Sequence, residues 1–209
     1  MVSEISDVLS HNIDPQWTVS VVHPGEREVD RSALAQLDEA ALVAACLGGT
    51  REAFDVIVER HRRAIYQLCY RFVGNHEDAS DLAQDVFIRA FRGLDRFRGQ
   101  SSLGTWLYRI GVNVCLNRLS TKQPQTEPIE ARSHVDERTA DAASELLREE
   151  RASAVRAAIG RLPKKQRATV ILRVYHELSH EEIAGVLGSS VGAVKANFFH
   201  ALANLRKWL

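Results

Sequence analysis

The stretch Ser179–Leu209, SHEEIAGVLGSSVGAVKANFFHALANLRKWL, decides the fold of the C-terminal part of this chain. Ser179 with Glu182 three residues on is a capping box, in which hydroxyl and carboxylate each satisfy an orphan backbone N–H, so a short helix opens there and ends at Gly188. Ser190 then caps a longer helix. Along that helix Val191, Val194, Phe198, Ala201, Leu202 and Leu205 share one stripe, which assigns the core-facing side. The other side carries Gly192, Ala193, Ala196, Phe199 and His200, flanked by Lys195 and Asn197. Small residues allow close entry into a major groove, where Lys can donate to guanine, Asn can pair with adenine and Phe can pack on a thymine methyl. Short helix, glycine turn, longer helix is the helix-turn-helix arrangement. A plain amphipathic hairpin is the alternative.

A second informative stretch lies upstream, Phe97–Leu119, FRGQSSLGTWLYRIGVNVCLNRL. Phe97, Trp106 and Tyr108 lie among Arg96, Arg98 and Arg109, and Asn113 and Asn117 continue a helical face from Trp106 and Arg109. Aromatic rings offer flat surfaces for an unpaired base, and arginines hold the phosphates on either side of it. Each aromatic taken singly is better explained by a core. The combination of a loop and the helix it feeds is what points to a nucleic-acid surface.

Working outward, Phe54, Ile57, Val58, His61, Ile65, Leu68, Cys69 and Phe72 recur at helical steps and make 51–73 one amphipathic helix, and Gly74-Asn75 stops it and begins the next. The next helix, about 77–93, buries Leu82, Val86 and Ala90 and turns Asp78, Asp81, Gln84 and Asp85 outward as an acidic strip. A loop over 94–102 leads to a helix over 103–119. Helices are expected near 144–160 and from Pro163, as first helical residue, to about His176. No alternating strand pattern occurs, so the fold class is all-α: two small helical domains on a flexible acidic linker.

The formal net charge is zero only by cancellation. Lys+Arg against Asp+Glu stand at 2 to 8 over 1–50, 12 to 8 over 51–122, 3 to 8 over 123–150 and 10 to 3 over 151–209, or −6, +4, −5 and +7. Two basic blocks around an acidic one fit two polyanion-facing modules and a connector that avoids DNA. Residues 1–36 hold Pro15, Pro24 and Gly25 without a sustained period and read as a tail in which Trp17 can dock. Residues 121–143 hold Pro124, Pro128 and five of the eight acidic residues of 123–150, as a linker does. Fully extended, such a linker reaches about 75 Å, comparable with two turns of DNA at roughly 70 Å.

Cys46, Cys69 and Cys115 are far apart, with no CxxC and no His/Cys cluster at ligand spacing, so they read as small hydrophobes, with no metal or cofactor expected. The first ten residues are acidic where a signal peptide is basic, and the longest apolar run, 40–47, is too short for a bilayer, so a cytoplasmic protein without membrane insertion is expected. Gly188–Gly192 fits G-x-S-x-G, but a helix precedes it where a hydrolase elbow needs a strand. With no phosphate-binding G-x-x-x-x-G-K-[ST] and no HExxH, nothing supports an enzyme.

The segment DASDLAQDVFIRAFRGLDRFRGQSSLGTWLYRIGVN, then a linker and LPKKQRATVILRVYHELSHEEIAGVLGSSVGAVK, strongly resembles the extracytoplasmic-function class of bacterial sigma factors, within the sigma-70 family. The resemblance spans about 37–209, and both modules match in order. It implies a region 2 domain over 37–120, a linker over 121–143 and a region 4 domain over 144–209. It further implies that Asp81, Gln84 and Asp85 dock on the coiled coil of the polymerase beta-prime subunit. Phe97, Arg98, Ser101, Trp106, Arg109 and Asn113 would recognise and melt the −10 element. Ser190, Lys195, Ala196, Asn197, Phe199 and His200 would read the −35 element, with neighbouring helices on the beta flap.

The resemblance also implies that the acidic linker threads a basic channel of the polymerase near the RNA path. One departure stands out: the family often has arginines and a serine along the −35 helix, where Lys195, Ala196, Asn197 and His200 stand here. The expected partners are bacterial core RNA polymerase and promoter DNA, with an anti-sigma factor as a further candidate. A stand-alone helix-turn-helix regulator would instead bind its operator without polymerase, and a protein-only adaptor would contact no DNA.

Overall fold

The structure is a computed structural model that describes residues 31–121 and 141–209, with the backbone alone for Thr121 and 141–149. Its elements are α1 (Arg31–Gln36), α2 (Glu39–Leu47), α3 (Glu52–Val73), α4 (His76–Gly93), a 3-10 turn (Leu94–Arg96), α5 (Leu103–Thr121), α6 (Asp141–Arg161), α7 (Lys164–Val170), a π segment (Ile171–Tyr175), α8 (His180–Leu187) and α9 (Val191–Trp208). The described residues form helices and connections without a strand, as the 3.6-residue period requires. Residues 1–30 and 122–140, with Trp17 and most of the acidic linker, lie outside the described residues.

The N-terminal module is built on α3, α4 and α5. Gly74, at φ 79°, closes α3, and the Asn75 side chain accepts from the Asp78 N–H at 2.8 Å to open α4. Between them Ile57, Ile65, Leu68, Phe72, Val86, Leu107 and Val112 are almost wholly buried. Gly111 lets α5 lie close against the Leu68 side chain of α3: a Cβ there would stand 2.7 Å from Leu68 Cδ2. Arg31–Gln36, taken from the sequence as tail, forms a helix because Leu34 is buried under it and Arg31 reaches Asp55 at 3.1 Å.

The C-terminal module packs α9 on α7 and α8, around Ile171, Leu172, Ile183, Val194 and Ala201. Its capping is as the sequence indicates: Ser179 and Glu182 form a reciprocal box, Gly188 is left-handed at φ 57°, and Ser190 accepts from the Ala193 N–H. Two details differ. Pro163 is the N-cap residue rather than the first helical one, and the helix expected to run on to His176 widens into the π segment after Val170. Leu202 sits at the edge of the α9 stripe and is exposed, where a core position was expected.

The modules are not separate bodies. One continuous apolar core runs from Leu34 to Leu205, with α5 packed on α8 and the π segment packed on α3.

Candidate nucleic-acid interface

The helix start at Leu103 is tied down from two directions. Ser102 Oγ accepts from the Thr105 N–H at 3.1 Å, and Glu39 of α2 accepts from the Leu103 N–H at 3.2 Å. A carboxylate at a helix N-terminus also meets the positive end of the helix dipole. The Glu39 contact spans 64 residues and no local signal reveals it.

On α5, Trp106, Arg109 and Asn113 share one face, at steps of three and four residues. Trp106 is half-buried against Phe97, ring centroids 5.3 Å apart, so these two aromatics form one corner between loop and helix. Arg98 and Asn113 are exposed, and Ser101 is half-buried with its hydroxyl on the Ser102 carbonyl. Tyr108, grouped by sequence with the stacking aromatics, turns away from them. Its hydroxyl lies 3.1 Å from His176 Nδ1 in the C-terminal module. Arg109, free on a sequence reading, donates to the Gly185 carbonyl of α8 at 2.6 Å.

On α9 the side predicted to face a ligand does face outward. Gly192, Ala193, Lys195, Ala196, Phe199 and His200 are exposed, as is Ser190 at the cap, and Asn197 is half-buried. Phe199 is 69% exposed, a large apolar side chain that its own module leaves without a place.

The acidic strip of α4 is narrower than predicted. Asp81 and Gln84 are exposed, and Asp85 is half-buried with both oxygens accepting from Arg89 Nε at 2.9 and 3.0 Å. Asp78 points inward instead, accepting from Arg118 at 2.6 Å and from the Asn75 amide at 2.8 Å. Its position in the first helical turn beside α5 explains this. Sequence reasoning missed that Ile88 and Phe91, both exposed, extend the Gln84 face by one and two turns. Their position off the buried stripe of α4 was the available signal.

The seam between modules holds the remaining polar groups. Arg167 of α7 donates to the Phe72 carbonyl at the end of α3, and the Arg71 guanidinium sits 4.3 Å over the Tyr175 ring. Lys164 Nζ donates to Ser120 Oγ at 2.5 Å. Burial, with Arg71 adding to it, pushes His176 down to about 4, so its imidazole is neutral near pH 7. Burial raises the Tyr108 and Tyr175 phenols and lowers the Arg71 and Arg167 guanidiniums from their ordinary values.

Cys69 and Cys115 are buried free thiols, and the hydrogen bond between them, together with burial, holds the Cys115 thiol well above its usual range. Cys46 is half-buried, and burial pushes its thiol up to about 11. Among the described residues, no helix is long and apolar enough to cross a membrane and no cluster of His, Cys, Asp or Glu could hold a metal ion.

The sigma-70 region 2 model matches residues 57–125, and the sigma-70 region 4 model matches residues 152–205. The chain is 34% identical over 185 residues to the RNA polymerase sigma-H factor of Pseudomonas aeruginosa, covering 84% of this chain and 96% of that protein. It is 34% identical over 170 residues to the ECF RNA polymerase sigma factor SigW of Bacillus subtilis, covering 77% and 91%. It is 34% identical over 175 residues to the ECF RNA polymerase sigma-E factor of Escherichia coli, covering 79% and 91%. Among solved structures, CnrH in complex with the cytosolic domain of CnrY superposes with a TM-score of 0.60 at 28% identity, covering 80% of this chain and 94% of that one. The sigma factor RpoE of Bartonella quintana, in complex with the anti-sigma factor NepR, shares the fold at a TM-score of 0.57 and 19% identity, covering 74% and 95%.

A region 2 module followed by a region 4 module defines an RNA polymerase sigma factor. The chain belongs to the extracytoplasmic-function class of the sigma-70 family.

Proposed function

We propose that this chain docks on core RNA polymerase through α4, reads the −35 element with α9 and opens the −10 element at the Phe97–Trp106 corner. The domain division is 1–36 as N-terminal extension, 37–120 as region 2, 121–143 as linker and 144–209 as region 4. Asp81, Gln84 and Asp85 supply the polar part of the docking face on the beta-prime coiled coil, and Ile88 and Phe91 supply its apolar part. Buried apolar anchors ringed by polar groups are how such interfaces gain their affinity.

At −10, Phe97 and Trp106 offer the stacking surface, Arg98 and Arg109 the phosphate contacts, and Ser101 and Asn113 hydrogen bonds. Opening needs no catalytic side chain: unstacking a base costs a few kcal/mol, and each stacked base returns about 1–3 kcal/mol. At −35, Ser190, Lys195, Asn197 and His200 are the polar contacts, while Ala196 and Phe199 are the small and apolar ones. With a single Lys on that face, −35 recognition leans on DNA shape and phosphate contacts more than on bidentate guanine pairs. The work is cytoplasmic, on promoter DNA, and an anti-sigma protein is a further partner.

The observation that carries this reading is the exposed Phe199–His200–Lys195 face of α9 coupled in one chain to the aromatic corner of α5. Run-off transcription with purified core polymerase on a genomic fragment library tests it. Transcripts from discrete promoters are expected only when the chain is added, and their absence on every template refutes it.

A further inference from the structure

The loop 97–102, assigned above to the −10 element, is fixed at its ends rather than along its length. Arg98, Gly99 and Gln100 are exposed, and the chain turns at Gly99 with φ 66°. Both ends of the loop rest on α2. On the entry side α2 packs on the 3-10 turn, whose Leu94 is buried and accepts through its carbonyl from the Phe97 N–H at 3.1 Å. On the exit side Glu39 Oε2 accepts from the Leu103 N–H at 3.2 Å.

The second contact answers a need of the helix start. The first N–H groups of a helix have no partner within it. Ser102 serves two of them: its hydroxyl accepts from the Thr105 N–H and its carbonyl from the Trp106 N–H, both at 3.1 Å. The Leu103 N–H is served by Glu39 instead.

α2 is in turn anchored on α3 by two consecutive residues. Arg60 donates to the Ala35 and Leu37 carbonyls at 2.7 and 2.8 Å, which fixes the corner between α1 and α2. His61 places Nε2, which has no other partner among the described residues, 3.1 Å from Glu39 Oε1. The same ring lies against Gly104, where a Cβ would meet His61 Cε1 at 3.7 Å. One carboxylate therefore ties three helices together: its own α2, α3 through His61 and α5 through Leu103.

We propose that Glu39 is a positioning residue for −10 opening: held by His61, it fixes the start of α5 and so sets the loop 97–102 and the Phe97–Trp106 corner to receive a base, without touching DNA itself. This rests on the reading of that corner as the −10 surface. The reach of the side chain matters more than its charge, because a hydrogen bond weakens steeply with distance and angle whereas a charge near a helix end does not. Glutamine keeps that reach without the charge. Aspartate keeps the charge and falls one methylene short.

The test uses holoenzyme formed with saturating core polymerase and two labelled DNAs followed by anisotropy: a single strand carrying the −10 segment of a promoter this chain transcribes, and a duplex carrying its −35 element. In the free chain, 5-fluorotryptophan labelling reports the corner through the Trp106 fluorine resonance, assigned with Trp106→Phe. Glu39→Ala and Glu39→Asp should each weaken single-strand binding about tenfold and displace the Trp106 resonance, with −35 duplex binding held within about twofold. Glu39→Gln should stay within about twofold of wild type on the single strand and restore the resonance. His61→Ala should cost about threefold on the single strand. Asn75→Ala, which removes the α4 cap elsewhere in the same module, should lower the urea midpoint and leave single-strand binding at the wild-type level.

Single-strand binding that survives both Glu39→Ala and Glu39→Asp overturns the proposal. An equal loss in Asn75→Ala overturns it too, since general stability would then be the cause, and so does a Glu39→Gln variant as weak as Glu39→Asp, which would make charge the cause. Wild-type binding by His61→Ala overturns the part given to His61. If Glu39→Ala loses helicity by circular dichroism, Glu39→Asp against Glu39→Gln decides. Wild-type holoenzyme that binds the single strand no better than core polymerase alone would instead sink the reading of the corner as the −10 surface, whatever the Glu39 variants do.

Discussion

Gly111→Ala should destabilise the chain even though alanine is the best helix former and position 111 lies inside α5. On an open helix surface the change gains about 1 kcal/mol. Here the new methyl would stand 2.7 Å from Leu68 Cδ2, with Val86 Cγ2 at 3.7 Å on its other side. Leu68 and Val86 are both 0% exposed, so the leucine cannot swing into solvent, and either it repacks within a filled core or α5 moves off α3. Overpacking of that kind costs about 1–3 kcal/mol. The sum is a net loss of about 1 kcal/mol, or a melting temperature lower by about 2–4 °C in a chain of this size.

Gly160→Ala is the matched control, since a Cβ at Gly160 meets nothing within 4 Å. It should be stabilising by about 0.5–1 kcal/mol. Urea unfolding followed by circular dichroism measures both. In a Leu68→Ala background, which costs about 2–5 kcal/mol by itself, Gly111→Ala should become neutral or stabilising, because the atom it strikes is gone. If Gly111→Ala raises the urea midpoint as much as Gly160→Ala does, the close approach of α3 and α5 is wrong, and with it the placement of the Trp106 face.

Four further outcomes are expected. Gln84→Ala with Asp85→Ala should weaken capture of core polymerase at least tenfold in a pull-down while leaving the circular dichroism spectrum unchanged, because neither side chain belongs to the core. Lys195→Ala should reduce −35-dependent transcription and lower the slope of log K against log salt by about one unit; an equal loss on templates with a scrambled −35 element would argue against a contact there. Trp106→Ala should spare closed-complex formation and impair permanganate-detected opening, with about 1–3 kcal/mol of stacking lost; loss of helicity instead would make Trp106 a core residue. Glu182, whose carboxylate accepts from the Ser179 N–H at 2.8 Å, is held below the ordinary glutamate value by that bond. Its folded value is depressed, so its contribution is whole near pH 7 and fades as pH falls below the unfolded value and through the folded one. Glu182→Gln should therefore flatten this part of the stability–pH curve, measured by thermal melts across the acidic range.

Local chemistry carried most of the fold. Asn75, Ser179, Glu182, Gly188 and Ser190 act on backbone groups within four residues of themselves, so their caps were legible from the one-dimensional pattern and stand in the structure as expected. The buried stripes of α3 and α4 were legible for the same reason: a 3.6-residue period is a property of consecutive residues. The outward faces followed by subtraction, which is why Lys195, Ala196, Phe199, His200, Asp81 and Gln84 were placed on the surface without any knowledge of packing. Subtraction failed at the edges of stripes, as with Leu202, and where a neighbouring helix supplied a partner, as Arg118 does for Asp78.

By itself, then, the order of the residues determined most of the helices and their caps, the two modules and the family, because each of those rests on spacing within a turn or two of chain, whereas α1 and the π segment depend on what they pack against. Only the tertiary structure decided that Tyr108 belongs to His176 rather than to a base, that Arg109 is spent on Gly185, that Glu39 caps α5, and that the two modules share a seam. Those contacts join residues 64 to 76 positions apart. Contacts at that separation are set by how whole helices pack, and no short-range pattern encodes which carbonyl an arginine will find once they do.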